Sequence, residues 1–134
     1  MIIKILPDKD KAKSILRFVK DREEFLPLID IEKFPTIAAE NYYEIIKELI
    51  TTLLIFDGIK TLGENAHKEL VECLSKYKEF DEKEIRAIDD LRIRRNKSLY
   101  EGMGIDTDYI KNKKVQLVAI INKLKEITGK RLNI

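Results

Sequence analysis

The sequence is poor in the residues that build metal centres and covalent cross-links, since its 134 residues include one cysteine, one histidine and no tryptophan. A lone Cys73 excludes a disulfide within the chain, and Cys73 together with His67 is too small a set for a Cys/His zinc site. We therefore expect neither a metal nor a cofactor, and we interpret Cys73 as a small apolar side chain on a helix.

Long hydrophobic runs are also missing from the chain. The segments MIIKIL and TTLLIF are both too short for a membrane span, and the first is too short for a signal peptide. These absences predict a cytoplasmic protein with no membrane partner.

No charge sign and no flexible residue type is in excess. The 26 basic and 24 acidic residues leave a net charge of +2, so an anion-binding role must rest on local clustering of cations. Hydrophobic residues make up 44% of the chain, with only five glycines and three prolines. This composition is typical of a helix-rich globular protein, and we predict a single domain over residues 1–134.

The apolar periodicity predicts helices over residues 9–26, 36–60, 66–78, 82–101 and 108–128. Asp81 and Glu84 have the spacing of a capping box at the start of the fourth helix. Residues 1–6 form either a short strand or an unstructured entry, and the apolar connection between Pro27 and Pro35 is expected to lie against the body. Short connections between long helices favour antiparallel neighbours. The predicted fold class is all-α, an up-and-down antiparallel bundle of four long helices plus a shorter one.

The helix predicted over residues 36–60 is apolar around well over half of its circumference. Such a helix is either the buried centre of its own bundle or a helix that covers a second face with a partner chain. We favour the second interpretation, a homodimer, and keep the first as the alternative.

The stretch LRIRRNKSLYEG, residues 91–102, places four cations, an asparagine and a tyrosine at the end of the fourth helix. On a helical wheel the apolar residues Ile85, Ile88, Leu91 and Leu99 share one arc, and Arg95 falls near its middle. Next to that arc, a single row spaced four residues apart is formed by Arg92, Asn96 and Tyr100. Arg94 and Lys97 are expected to point to water.

An arginine in an apolar stripe needs a carboxylate, backbone carbonyls or a hydrated cleft. One interpretation is structural, in which Arg95 pairs with an acid on the second helix, namely Glu40, Glu44 or Asp57. The other is a polar cleft at the end of the bundle, where a guanidinium, an amide and a phenol hold a phosphate and a base or ribose.

The segment RNKSLYEG, preceded by AIDDLRIR, resembles the signature helix of the HEPN-domain family, whose pattern is an arginine, often an asparagine, four to six intervening positions and a histidine. Here Arg95 and Asn96 match its start and Tyr100 stands where the family has histidine. The segment ENYYEIIKELITTLLIFDGIKTLGENAHKELVECL also resembles the second and third helices of small archaeal members, so the resemblance covers roughly residues 36–125.

The resemblance implies a HEPN-like homodimer in a toxin–antitoxin or defence system, binding RNA or nucleotide and pairing with a minimal nucleotidyltransferase. It implies that Arg95 and Tyr100 occupy the catalytic positions of a metal-independent endoribonuclease, with Arg92 and Asn96 binding the substrate. Tyrosine is a poor base near neutral pH, because the unperturbed pKa of its phenol is about 10 against about 6.5 for imidazole. Some members carry a modified tyrosine two positions after the histidine, and here that position is Gly102.

His67 is the one histidine that could replace the missing base, and the resemblance places its helix away from the motif. Its structural interpretation is a surface residue at a helix start. Three functions stay open at this point. They are a dimeric RNA- or nucleotide-binding protein with degenerate ribonuclease activity, an active endoribonuclease toxin, and a non-catalytic helical interaction protein.

Overall fold

The computed structural model describes residues 1–133 and is built mainly from helices. Its elements in chain order are β1 (Ile2–Lys4), α1 (Lys9–Phe25), α2 (Pro35–Phe56), β2 (Ile59–Thr61), α3 (Ala66–Glu72), α4 (Glu82–Glu101) and α5 (Thr107–Leu132). The predicted all-α bundle of four long helices plus a shorter one is confirmed. Within the described part of the chain, no helix is both long and apolar enough to cross a membrane.

The centre of the bundle is α2, which packs against α1, α4 and α5. Its apolar residues are buried on almost every side, and Tyr43, Ile46 and Leu49 have no exposed surface. Each such side chain contributes about 1.5–3 kcal/mol relative to leaving it exposed. The apolar circumference of α2 is therefore covered by its own chain, and the argument that it needs a partner chain was wrong.

The fourth helix begins and ends as its sequence predicts. The Asp81 carboxylate accepts a hydrogen bond from the Glu84 backbone N–H at 2.8 Å, and the Glu84 side chain accepts one from the Asp81 N–H at 3.0 Å. At the other end Gly102 adopts a left-handed conformation with φ 67°, and its N–H donates to the Lys97 carbonyl. These two caps fix where α4 presents the residues between them.

The second helix is shorter than its apolar pattern suggests, because it ends at Phe56 rather than near Lys60. Gly58 has φ 71°, and a Cβ there would lie 2.8 Å from the Ile5 carbonyl oxygen, so glycine is required. The chain then continues as β2, which pairs antiparallel with β1. The strand alternative for residues 1–6 is thereby confirmed for Ile2–Lys4.

The apolar connection before α2 is only partly packed against the body. Ile31 contacts the core, whereas Leu28 and Phe34 are exposed. The expectation that the whole connection lies against the bundle was therefore wrong for those two side chains.

Candidate functional site

Arg95 on α4 forms an ion pair with Glu44 on α2, with Arg95 Nη2 2.8 Å from Glu44 Oε1. Both side chains are largely buried, at 16% and 18% exposure. The second oxygen of Glu44 accepts from Lys47 Nζ at 2.7 Å. Burial opposes ionisation of Glu44, but the hydrogen bond and charge of Lys47, with the charges of Arg95 and Arg22, lower its pKa below the ordinary value. The prediction that Arg95 pairs with an acid on the second helix is confirmed for Glu44.

The other acids considered for Arg95 have different partners. Glu40 accepts a hydrogen bond from the Ser98 hydroxyl at 3.2 Å, and Asp57 is held by Arg131 and by the Tyr77 hydroxyl. The contacts of Ser98 and Arg95 show that α4 runs antiparallel to α2. Its last turn thus reaches the beginning of α2, where little remains to pack against, and Leu99 is 54% exposed. Placing Leu99 in the core was wrong.

The row formed by Arg92, Asn96 and Tyr100 lines one cavity, which we call the α3–α4 cavity, of about 220 Å³. The opposite wall is formed by the loop before α3, which contributes Glu64, and by the start of α3, which contributes His67 and Lys68. The expectation that His67 lies away from the motif was therefore wrong. Tertiary packing of α3 on α4 brings a histidine, an arginine, an amide and a phenol around one opening.

Arg92 lines this cavity and is oriented by an aspartate on its own helix. Its Nε donates to Asp89 Oδ1 at 2.8 Å, one turn earlier on α4, and its side chain is only 13% exposed. This bond fixes the guanidinium plane, while the terminal amino groups have no hydrogen-bond partner among residues 1–133. A guanidinium that is bound only through its Nε leaves its two terminal amino groups free, and these can bind two phosphate oxygens.

Asn96 is oriented by its neighbour on the helix. Arg95 Nη1 donates to Asn96 Oδ1 at 3.3 Å, and the Asn96 amide nitrogen has no partner in the described chain. Arg95 itself does not line the cavity. Arg95 therefore influences the cavity only by orienting Asn96. Its hydrogen bond occupies the amide oxygen, and the amide N–H groups of Asn96 stay free.

The surroundings of His67 favour its neutral imidazole form. Desolvation lowers its pKa below 6.5, and the charges of Lys47 and Arg95 lower it further against the opposing charge of Glu44. No hydrogen bond holds either ring nitrogen among residues 1–133. A neutral imidazole with a free nitrogen can accept a proton, as a general base must.

Tyr43 of α2 stands behind His67 and Arg95. Its ring lies 6.5 Å from the His67 ring and 5.3 Å from Arg95 Cζ, in the range of a cation–π contact. Burial raises the pKa of Tyr43 to about 12, against the lowering charges of Arg95 and Arg92. Its buried hydroxyl has no hydrogen-bond partner within the described residues. Tyr43 therefore remains a neutral phenol that supports the cluster by packing.

Tyr100 occupies the rim of the cavity and is 77% exposed. Its ring is available to stack on a base, and Gly102, two positions later, forms the left-handed end of α4. The helix end therefore explains why position 102 is a glycine.

Arg94 and Lys97 are exposed as predicted, with Arg94 paired to Asp90 and lying over the Tyr109 ring.

The sequence missed His67 because no local signal links it to α4. Twenty-five positions separate it from Arg92, and only the packing of α3 against α4 shows their proximity. Its uniqueness in the chain was the one available hint. Among residues 1–133, no group of three or more His, Cys, Asp or Glu side chains is placed to hold a metal ion.

The chain matches no protein-family model, no curated protein and no solved structure. The resemblance to HEPN proteins therefore rests on the residues of the motif and on the order of the helices.

Proposed function

We propose that this protein binds single-stranded RNA or a nucleotide in the α3–α4 cavity. The observation that carries the proposal is the convergence of Arg92, Asn96, Tyr100 and His67 on that one opening. Arg92 binds a phosphate oxygen pair, the Asn96 amide donates to a phosphate or ribose oxygen, and the Tyr100 ring stacks on a base. Arg95 positions Asn96 from behind.

RNA cleavage is the second candidate function, and the position of His67 favours it. His67 would take the proton of a 2′-hydroxyl, the O2′–P bond would form and the P–O5′ bond would break. The leaving 5′ oxygen would receive a proton from the Tyr100 phenol, and the proton taken up by His67 would then return to the Tyr100 oxygen through water. The products are a 2′,3′-cyclic phosphate and a 5′-hydroxyl, and Arg92 would stabilise the charge that develops on the phosphorane.

The binding proposal is tested by fluorescence anisotropy with a labelled single-stranded RNA of about ten nucleotides at low salt, since phosphate contacts weaken as salt rises. Asn96→Ala is expected to weaken binding several-fold, while the exposed amide variant Asn112→Ala on α5 leaves it unchanged. Absence of binding by the wild-type protein would leave the helical interaction protein as the remaining function.

The cleavage proposal is tested with the same RNA in the presence of a metal chelator. We expect His67→Asn to abolish product formation, and a 2′-deoxy substitution in the substrate to block it at that position. Cleavage that persists in His67→Asn would contradict the assigned base.

The resemblance leads us to propose also a homodimer and a minimal nucleotidyltransferase partner in a toxin–antitoxin or defence system. Large side chains are exposed at the end of α4 and just after it, and these residues, Leu99, Tyr100 and Met103, are available for a second copy. Sedimentation of wild type against Leu99→Asp tests the dimer. The identity of the adjacent reading frame tests the partner.

A further inference from the structure

A second cavity, of about 190 Å³, adjoins the α3–α4 cavity and shares Ala66 and His67 with it. We call it the lysine cavity. Its walls come from the start of α1, the second half of α2, β2 and the start of α3. Pockets for drug-sized ligands span roughly 300–1,000 Å³, so this opening has room for one nucleotide at most.

Positive charge is concentrated in the lysine cavity although the chain as a whole is nearly neutral. Three elements contribute Lys11, Lys47 and Lys60, and no carboxylate lines the opening. Lys47 is paired with Glu44, whereas the Lys11 and Lys60 ammonium groups have no ion-pair partner in the described chain. Lysines scattered over a surface need no explanation, but their convergence on one concave site without an acid selects for an anion.

The remaining lining is apolar with two hydroxyls. Leu54, Ile55 and Ile59 form part of the cavity wall, and Thr51 and Thr61 lie beside them. An apolar floor under an anion-binding rim fits a ligand with a flat hydrophobic part and a negative charge. A nucleotide has both parts, because its base packs on the aliphatic floor while its phosphate meets the lysines.

The two cavities are joined by a continuous set of ion pairs and hydrogen bonds. Lys47 Nζ binds Glu44 Oε2 at 2.7 Å, Glu44 Oε1 binds Arg95 Nη2 at 2.8 Å, and Arg95 Nη1 binds Asn96 Oδ1 at 3.3 Å. This set connects a wall of the lysine cavity to a wall of the α3–α4 cavity. His67 lies where the two openings meet.

We propose that the lysine cavity is a second nucleotide subsite, so that the two cavities hold consecutive nucleotides of one single strand. The phosphodiester between them then passes His67. This inference rests on the proposed function and makes its substrate an oligonucleotide rather than a free mononucleotide. A free mononucleotide is expected to bind in the α3–α4 cavity alone, without contact to the lysine cavity.

The test compares Lys11→Ala/Lys60→Ala with Lys20→Ala/Lys83→Ala, a matched control that removes the same charge from exposed positions without an ion pair among residues 1–133. The ligands are a labelled single-stranded RNA of about ten nucleotides and 5′-AMP, each titrated over a range of salt. Loss of two phosphate contacts is expected to lower the oligonucleotide affinity about tenfold or more. It also reduces the slope of log affinity against log salt by about 1.4.

The outcomes separate the subsite from the proposed function. Weakened oligonucleotide binding with unchanged 5′-AMP binding in Lys11→Ala/Lys60→Ala, and unchanged binding in the control, supports the second subsite. If both double variants bind the oligonucleotide like wild type, while Asn96→Ala still weakens it, the second subsite is overturned and the proposed function stands. If the wild-type protein binds neither ligand, both are overturned.

Discussion

Arg95 and Glu44 join α4 to α2 through an ion pair of 2.8 Å that lies behind the α3–α4 cavity rather than inside it. The Arg95 guanidinium lies between the Glu44 carboxylate and the Asn96 amide. The carboxylate neutralises its positive charge, which would be unfavourable if it were buried unpaired in the apolar stripe. Arg95 is thus a positioning residue, and the groups that face a ligand are its neighbours on the row.

A double-mutant cycle measures how much the ion pair contributes. Arg95→Met and Glu44→Met keep a long side chain of good helix propensity, and we expect a coupling free energy of about 1–2 kcal/mol because the pair is largely buried. The exposed pair Arg86 and Glu82 on the same helix is the control, with a coupling of about 0.5 kcal/mol or less. The quantity is obtained from urea denaturation, and equal coupling in the two cycles would contradict the assignment.

The stability that Glu44 contributes depends on pH in a defined direction. Its pKa in the folded protein lies below the ordinary value of 4.5, so the unfolded chain takes up the proton first as pH falls. The extra stability of wild type over Glu44→Gln is therefore fully present above the ordinary value and is lost as pH falls through the lowered pKa. Urea denaturation at several pH values measures it, and a difference that does not change with pH would count against this environment.

The single histidine makes its titration unambiguous by NMR in a tag-free protein. We expect the midpoint for His67 to lie below 6.5. Lys47→Met should raise that pKa because a nearby positive charge is removed, and Glu44→Gln should lower it because the opposing negative charge is removed. A midpoint at or above the ordinary value would remove the reason for treating His67 as a base.

Tyr43→Phe tests the buried hydroxyl behind the site. Because that hydroxyl has no partner in the described chain, its removal should leave the protein as stable or stabilise it by about 1 kcal/mol. Thermal and urea denaturation of the variant measure the change. A clear loss of stability would mean that the hydroxyl makes a hydrogen bond in solution.

The helices and their ends could largely be predicted because their signals are local. Asp81 with Glu84 and the glycine at 102 fix α4 from the sequence alone. The end of α2 was predicted about four residues too late, near Lys60, because Ile59 continues the apolar pattern. Gly58 marks the end in the sequence, and the close approach of Ile5 to Gly58 shows why the helix stops before it.

The candidate site was predicted only where local helical spacing determines which residues share a face. The row of Arg92, Asn96 and Tyr100 follows from helical spacing, and it does line one cavity. The wheel could not show that α4 extends to the beginning of α2, which exposes Leu99, nor that α3 brings His67 to the row. Both depend on packing between helices that are distant in sequence.

The most direct test of RNA binding in the α3–α4 cavity compares Arg92→Ala with Arg94→Ala in an anisotropy titration with single-stranded RNA at low salt. Both arginines lie on α4 and pair with an aspartate one turn earlier, but only Arg92 lines the cavity. We predict that Arg92→Ala weakens binding about tenfold or more, as expected for a lost charged hydrogen bond, while Arg94→Ala changes it by less than about twofold. Equal effects of the two substitutions, in variants of equal helicity, would contradict the account.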